Sequence, residues 1–170
     1  MARVLADGKT KFTILTTKPA DPAAPTVTEL NAGIDLSDSV LASDFNWSAT
    51  DSDKIAEKAL SDVGNSNAIG ASNYTTGITI WRYYATGGGV DATEDAGYAA
   101  LQEKGTTVWG YARESDKDSS EAWAASDEIY LGGEVITDAP QRLDGTGFIK
   151  RRIPLEMQRG FDNITVAAGA

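Results

Sequence analysis

The clearest periodicity in the chain lies between Phe148 and Phe161. Ile149, Ile153, Leu155, Met157 and Phe161 occupy odd positions, interrupted by Arg151 and Arg159, whereas Lys150, Arg152, Glu156 and Gln158 fill even ones. A period of two is the mark of a strand with one apolar face. At about 3.3 Å per residue, Phe148 to Gln158 would span roughly 35 Å, longer than a usual strand. Pro154 cannot donate to a ladder, so it is expected at an edge or a bulge. Such a strand suits pairing with a second copy through Ile149, Arg151, Ile153 and Leu155. A strand buried within its own sheet fits the pattern equally. On the first reading, replacing Ile153 with Asp should leave a folded monomer that cannot assemble.

A second organising stretch runs from Gly77 to Arg113. Thr79–Tyr84 is dense in β-branched and aromatic residues and reads as a strand ended by Gly87-Gly88-Gly89. Residues 91–104 read as one short helix. Asp91 and Glu94 have capping-box spacing, Tyr98 and Leu101 share a face, and Lys104-Gly105 supplies a stop. Thr106–Tyr111 returns as a strand.

Elsewhere Thr10–Leu15 reads as a short strand, and Pro19, Pro22 and Pro25 stiffen the connector after it. Thr26–Leu30 is a strand candidate. Ile34–Leu36 and Phe45–Ala49 alternate as half-buried strands do. Asp51–Val63 fits either a helix face (Ile55, Ala59, Leu60, Val63) or a strand at Lys54–Leu60. Gly64–Asn73 reads as a polar loop. Ile129–Leu131 and Glu134–Thr137 form a strand with a bulge at Gly132-Gly133, and Gln141–Gly147 is a turn. The expected fold class is mainly β, one domain over 1–170, with one short packed helix.

Chemistry-bearing patterns are sparse. The chain has no cysteine and no histidine, which removes the thiol nucleophile, the commonest general base and the commonest zinc ligand together. Gly8-Lys9-Thr10 resembles the end of a phosphate-binding loop, but Arg3 stands where its first glycine belongs. Asp51–Asp53 and Asp116–Ser120 begin like calcium loops, yet Ala56 and Glu121 replace the required glycine. No catalytic residue, cofactor or metal is expected, and a hydrolase relying on carboxylates alone has no supporting pair. Twenty-five acids against 15 bases give a net charge of −10, a surface that repels nucleic acid phosphates. Glu114–Glu128 holds six acids and one base and reads as an exposed loop presenting Glu114, Asp116, Asp118 and Glu121. Trp123 in that loop is the tryptophan expected at the surface. It is the one aromatic that could serve the competing reading, a carbohydrate- or receptor-binding β-sandwich. No apolar run approaches the roughly 18 residues of a membrane span, and the opening Met1–Ala6 turns polar too early for a signal peptide. Synthesis in a cytoplasm, without export by the usual route, is expected.

Several segments, taken in order, resemble the major tail (tail tube) proteins of long-tailed bacteriophages, especially those of actinobacteria. They are Pro25–Leu36, Lys58–Asp62, Ser72–Tyr74, Ile80–Tyr83, Leu101–Trp109 and Gly147–Leu155, with the acidic short helix between the fourth and fifth. The resemblance implies a ring-forming β-sandwich or half-barrel with a helix on its outside, and favours a strand for Lys58–Leu60. It implies rings of six copies stacked into a hollow tube. The tube would surround a tape-measure protein, meet tail terminator and tail tip proteins, and conduct double-stranded DNA in the virion. Glu134, Asp138, Arg152 and Glu156 are the residues expected to face such a lumen.

Overall fold

A computed structural model describes residues 3–169; Met1 and Ala2, part of the opening stretch read above, lie outside them. Ten strands and two short α-helices follow in the order β1 (Thr10–Leu15), α1 (Val27–Ala32), β2 (Ile34–Asp35), β3 (Asn46–Thr50), β4 (Lys54–Glu57), β5 (Ser66–Ile69), β6 (Asn73–Trp81), α2 (Ala96–Leu101), β7 (Thr107–Glu114), β8 (Glu128–Thr137), β9 (Gln141–Arg142) and β10 (Lys150–Thr165). Neighbours run β2-β1-β7-β8-β10-β6-β3, with β9 beside β10, while β4 and β5 form a separate hairpin.

β10 joins the two halves of this sheet. Its residues Lys150–Pro154 pair with Trp81–Gly77 of β6, and Leu155–Thr165 pair with Thr137–Glu128 of β8. Pro154 is therefore at neither an edge nor a bulge. It stands where the strand passes from one partner to the other, the place a missing N–H disrupts least, and its carbonyl still accepts from the Asp138 amide at 3.0 Å. The strand begins later than its pattern suggests, since Phe148 and Ile149 lie outside it and exposed. It also runs on to Thr165.

The sheet curls until its ends face each other. Trp47 on β3 donates its indole N–H to the Leu131 carbonyl of β8 at 2.9 Å. Its ring lies 4.9 Å from that of Phe12 on β1. Between the halves lie Phe12, Ile14, Val108, Leu131 and Val135 on one side and Trp47, Ile78, Ile80, Ile153 and Leu155 on the other. Each such side chain contributes about 1.5–3 kcal/mol by leaving water. A second apolar layer, Leu15, Leu30, Trp109, Tyr111, Trp123, Ile129 and Val166, gathers residues of β1, β7 and β8 with α1 and the loop after β7. β1 is thus buried on both faces, Lys11 and Thr13 included; Lys11 pairs with Asp35.

Several sequence expectations are corrected here. Thr26–Leu30 is no strand. Thr26 and Glu29 close a capping box (Glu29 N to Thr26 Oγ1, 3.2 Å; Thr26 N to Glu29 Oε2, 2.9 Å), which starts α1 and buries Leu30. The helix expected over 91–104 shrinks to Ala96–Leu101. Asp91 caps only the amides of Thr93 and Glu94, at 3.0 and 3.1 Å. The Asp95 carboxylate turns instead to Arg82 Nη2 at 2.8 Å and the Tyr83 amide at 2.9 Å. The described residues accordingly carry two α-helices. β8 runs unbroken through Gly132-Gly133, where the glycines make room: a Cβ on Gly132 would lie 2.7 Å from the Tyr111 ring, and one on Gly133 would overlap Met157. The bulge is on β10, between Met157 and Arg159. Part of the polar stretch 64–73 forms β5, which pairs with β4.

Candidate assembly surfaces

Strand alternation sorts the candidate residues of β10. Ile153 and Leu155 are 0% and 3% exposed, packed in the core between the two halves of the sheet. That corrects their expected place at a subunit interface, because a side chain filling its own core has no surface to offer a neighbour. Ile149 is 54% exposed. Arg151 is half-buried, with Ile80 of β6 on one side and Arg142 of β9 on the other.

Arg152 and Glu156 point from the face of β10 opposite Ile153 and Leu155. Glu156 is exposed and pairs in register with Ile136, two residues from Glu134 on the same side of β8. Glu134 is half-buried and accepts from Trp109 Nε1 at 3.2 Å. Asp138, just past β8, pairs with Lys104 at 3.3 Å. The Ala139 amide and Lys104 hold its carboxyl below the ordinary carboxylate range. Arg152 is half-buried, and its Nη1 is buried without an acceptor.

The acidic loop after β7 is exposed at Glu114, Asp116, Asp118 and Glu121, but its frame is buried. Arg113, fully enclosed, donates to Asp127 Oδ2 at 2.8 Å, to the Asp118 carbonyl at 2.9 Å and to the carbonyls of Glu121 and Ala122 at 3.2 and 3.3 Å. Lys117 binds the other Asp127 oxygen. Burial pushes the Asp127 carboxyl up, but Lys117, the Ala124 amide and Arg113 outweigh it and hold the group below its usual range. Trp123 is not at the surface. It is 3% exposed, donates to Thr13 Oγ1 at 2.9 Å, and lies under the Arg113 guanidinium at 5.2 Å. A ring beside a buried cation gains more there than in water. Sequence reasoning missed Arg113 and Asp127 as organisers of this loop. The one available signal was a base closing an otherwise apolar strand beside a run of acids.

Sequence reasoning also missed the surface that the β4–β5 hairpin presents. Its root is held by Asp53 and Ala71 (Asp53 N to Ala71 O, 2.9 Å) and by Asn73, whose amide donates to Asp53 at 2.9 Å. Beyond the root, every residue of both strands is exposed, and Ile55, Leu60, Val63 and Ile69 are 54%, 110%, 100% and 83% exposed. Apolar residues without a helix cap in a polar stretch were the available hint. Of the remaining candidates, Gly8 turns into a strand rather than a helix, and Lys9 pairs with Asp118 at 2.6 Å. Among the described residues no group of three acidic side chains converges as a metal would require, and no helix is long and apolar enough to cross a membrane.

No curated protein matches the sequence. A family model described as phage tail tube protein matches residues 1–170. With a curled antiparallel sheet and a family model matched over its whole length, the protein belongs to the phage tail tube family, whose members are structural.

Proposed function

We propose that six copies of this chain close into a ring, and that rings stack into a hollow tail tube. The tube surrounds the tape-measure protein during assembly, is bounded by tail terminator and tail tip proteins, and conducts double-stranded DNA. In this reading the protein has no catalytic role; it is made in the host bacterial cytoplasm and resides in the virion.

The observation that carries this reading is the β4–β5 hairpin. A lone two-stranded hairpin is marginal in water, and this one leaves four large aliphatic side chains uncovered. Ile55 and Ile69 project from opposite faces of the hairpin, and Leu60 and Val63 lie three apart in the loop at its tip; large aliphatic side chains this exposed suit a protein contact. The open ends of the sheet add to it: β3 and β2 each pair on one side only. Closure into a ring removes such edges. Six copies at −10 each place about −60 on a ring, which disfavours adhesion of DNA in transit. The carbohydrate-binding reading loses its support, since it depended on Trp123 being exposed.

The test is the double variant Leu60→Ser/Val63→Ser, examined by sedimentation velocity. Both side chains are free in the monomer, so stability should change by less than about 0.5 kcal/mol, while the large assemblies of the wild type disappear. A variant that sediments as the wild type does would overturn the role given to the hairpin.

A further inference from the structure

Arg142 and Arg151 stand directly opposite each other on β9 and β10. In an antiparallel pair, opposed residues project from the same face with their Cβ atoms about 5 Å apart, and like charges so placed repel. Lys150 and Arg152 flank Arg151 in sequence. Among the described residues, none of these four cations has a carboxylate within ion-pair distance, although the chain carries ten more acids than bases. Arg151 donates to the Lys150 carbonyl at 2.9 Å, and Lys150 to the Thr146 carbonyl at 3.2 Å. The monomer thus holds a repulsive cationic pair that it does not neutralise.

Its complement is present elsewhere on the same molecule. Among the described residues, Glu114, Asp116 and Glu121 are exposed and without ion-pair partners. The buried Arg113 fixes the backbone that presents them through the carbonyls of Asp118, Glu121 and Ala122. A frame held by an enclosed guanidinium loses little freedom on docking.

We propose that Arg142 and Arg151 of one copy receive the carboxylates of the Glu114–Glu121 loop of a second copy, making a head-to-tail ion-pair contact. Two different patches of the same chain then meet, the heterologous geometry that generates rings and stacks. The proposal rests on the self-association argued above. It adds which charges meet and makes assembly sensitive to salt.

The experiment uses the full chain in two charge-reversed forms, Arg142→Glu/Arg151→Glu and Glu114→Lys/Asp116→Lys/Glu121→Lys. Asp118 is left alone because Lys9 pairs with it. Far-UV circular dichroism checks folding, and a neutral pair, Arg142→Gln/Arg151→Gln, replaces the first form if that does not fold. Each form alone should need a concentration about tenfold or more above the wild type's to assemble. An equimolar mixture of the two reversed forms should recover most of that loss. Wild-type assembly should weaken as sodium chloride rises. Reversed forms that assemble at the wild-type concentration, or a mixture that recovers nothing, would overturn the contact. So would a reversed arginine pair that loses binding to a short DNA duplex while assembling normally, which would assign the pair to phosphate. A wild type that never assembles would count against self-association itself and remove the basis of the contact.

Discussion

Arg113 and Asp127 form an ion pair at 2.8 Å with side chains 0% and 7% exposed, fourteen residues apart across the acidic loop. It is the internal post around which residues 115–127 are wrapped. Removing one partner of a buried pair leaves the other charged and unsolvated, which costs about 3–5 kcal/mol. Asp127→Ala should therefore lower the urea midpoint by that equivalent and open the loop to protease between Glu114 and Glu128. An unchanged midpoint would contradict the post.

Acid should unfold the protein through the same group and its like. Burial pushes Asp35 up, yet Lys11 and Ser37 more than compensate, and the Ala20 and Thr26 amides lower Glu29. With Asp127, these carboxyls have folded pKa values below their unfolded ones. The stability they confer is present above the unfolded range of about 4, and is lost as pH falls through the lower folded values. The urea midpoint should hold from pH 7 to about 5 and fall below about 4. There is no histidine to titrate between. A midpoint flat to pH 3 would contradict this balance.

The two halves of the sheet fold over each other through a close approach that only glycine permits. A Cβ at Gly110 would lie 2.6 Å from the Trp47 ring, which its bond to the Leu131 carbonyl holds in place. Gly110→Ala should destabilise by about 1–3 kcal/mol in urea titration. Gly133→Ala should cost less, because it meets the flexible, half-buried end of Met157. Equal costs would mean that Trp47 is not fixed.

Ile153→Asp now carries the opposite expectation from the one its strand pattern suggests. The side chain is fully enclosed opposite Ile78, and a carboxylate there would lose its water without gaining a partner. The variant should lack native circular dichroism rather than yield a folded monomer. A folded, assembly-deficient monomer would restore Ile153 to the interface.

What the sequence showed depended on whether one strand face was wet. β10 and β3 alternate plainly because one face of each meets solvent along much of its length. β1 buries Lys11 and Thr13 as well as Phe12 and Ile14, so its alternation marked a strand but not two cores. Thr26 and Glu29 had capping-box spacing in plain view, as did Asp91 and Glu94. The first pair closes a reciprocal box and starts a helix; in the second only Asp91 bonds, to the amides of Thr93 and Glu94, and the helix begins later, at Ala96. Asp95, which precedes it, directs its carboxylate to Arg82 and the Tyr83 amide, partners brought together only by the fold. The interface assignment failed at Ile153 and Leu155 for a related reason: an apolar face says that something covers it, not whose side chains do.

In the reading proposed above, this chain builds a hollow tube from copies of itself. Negative-stain electron microscopy of the purified wild-type protein, concentrated stepwise and incubated for days, tests it most directly. Stacked rings or tubes of uniform width with a stain-filled channel are expected. Particles of monomer size at every concentration, with the Leu60→Ser/Val63→Ser variant indistinguishable from the wild type, would contradict that reading.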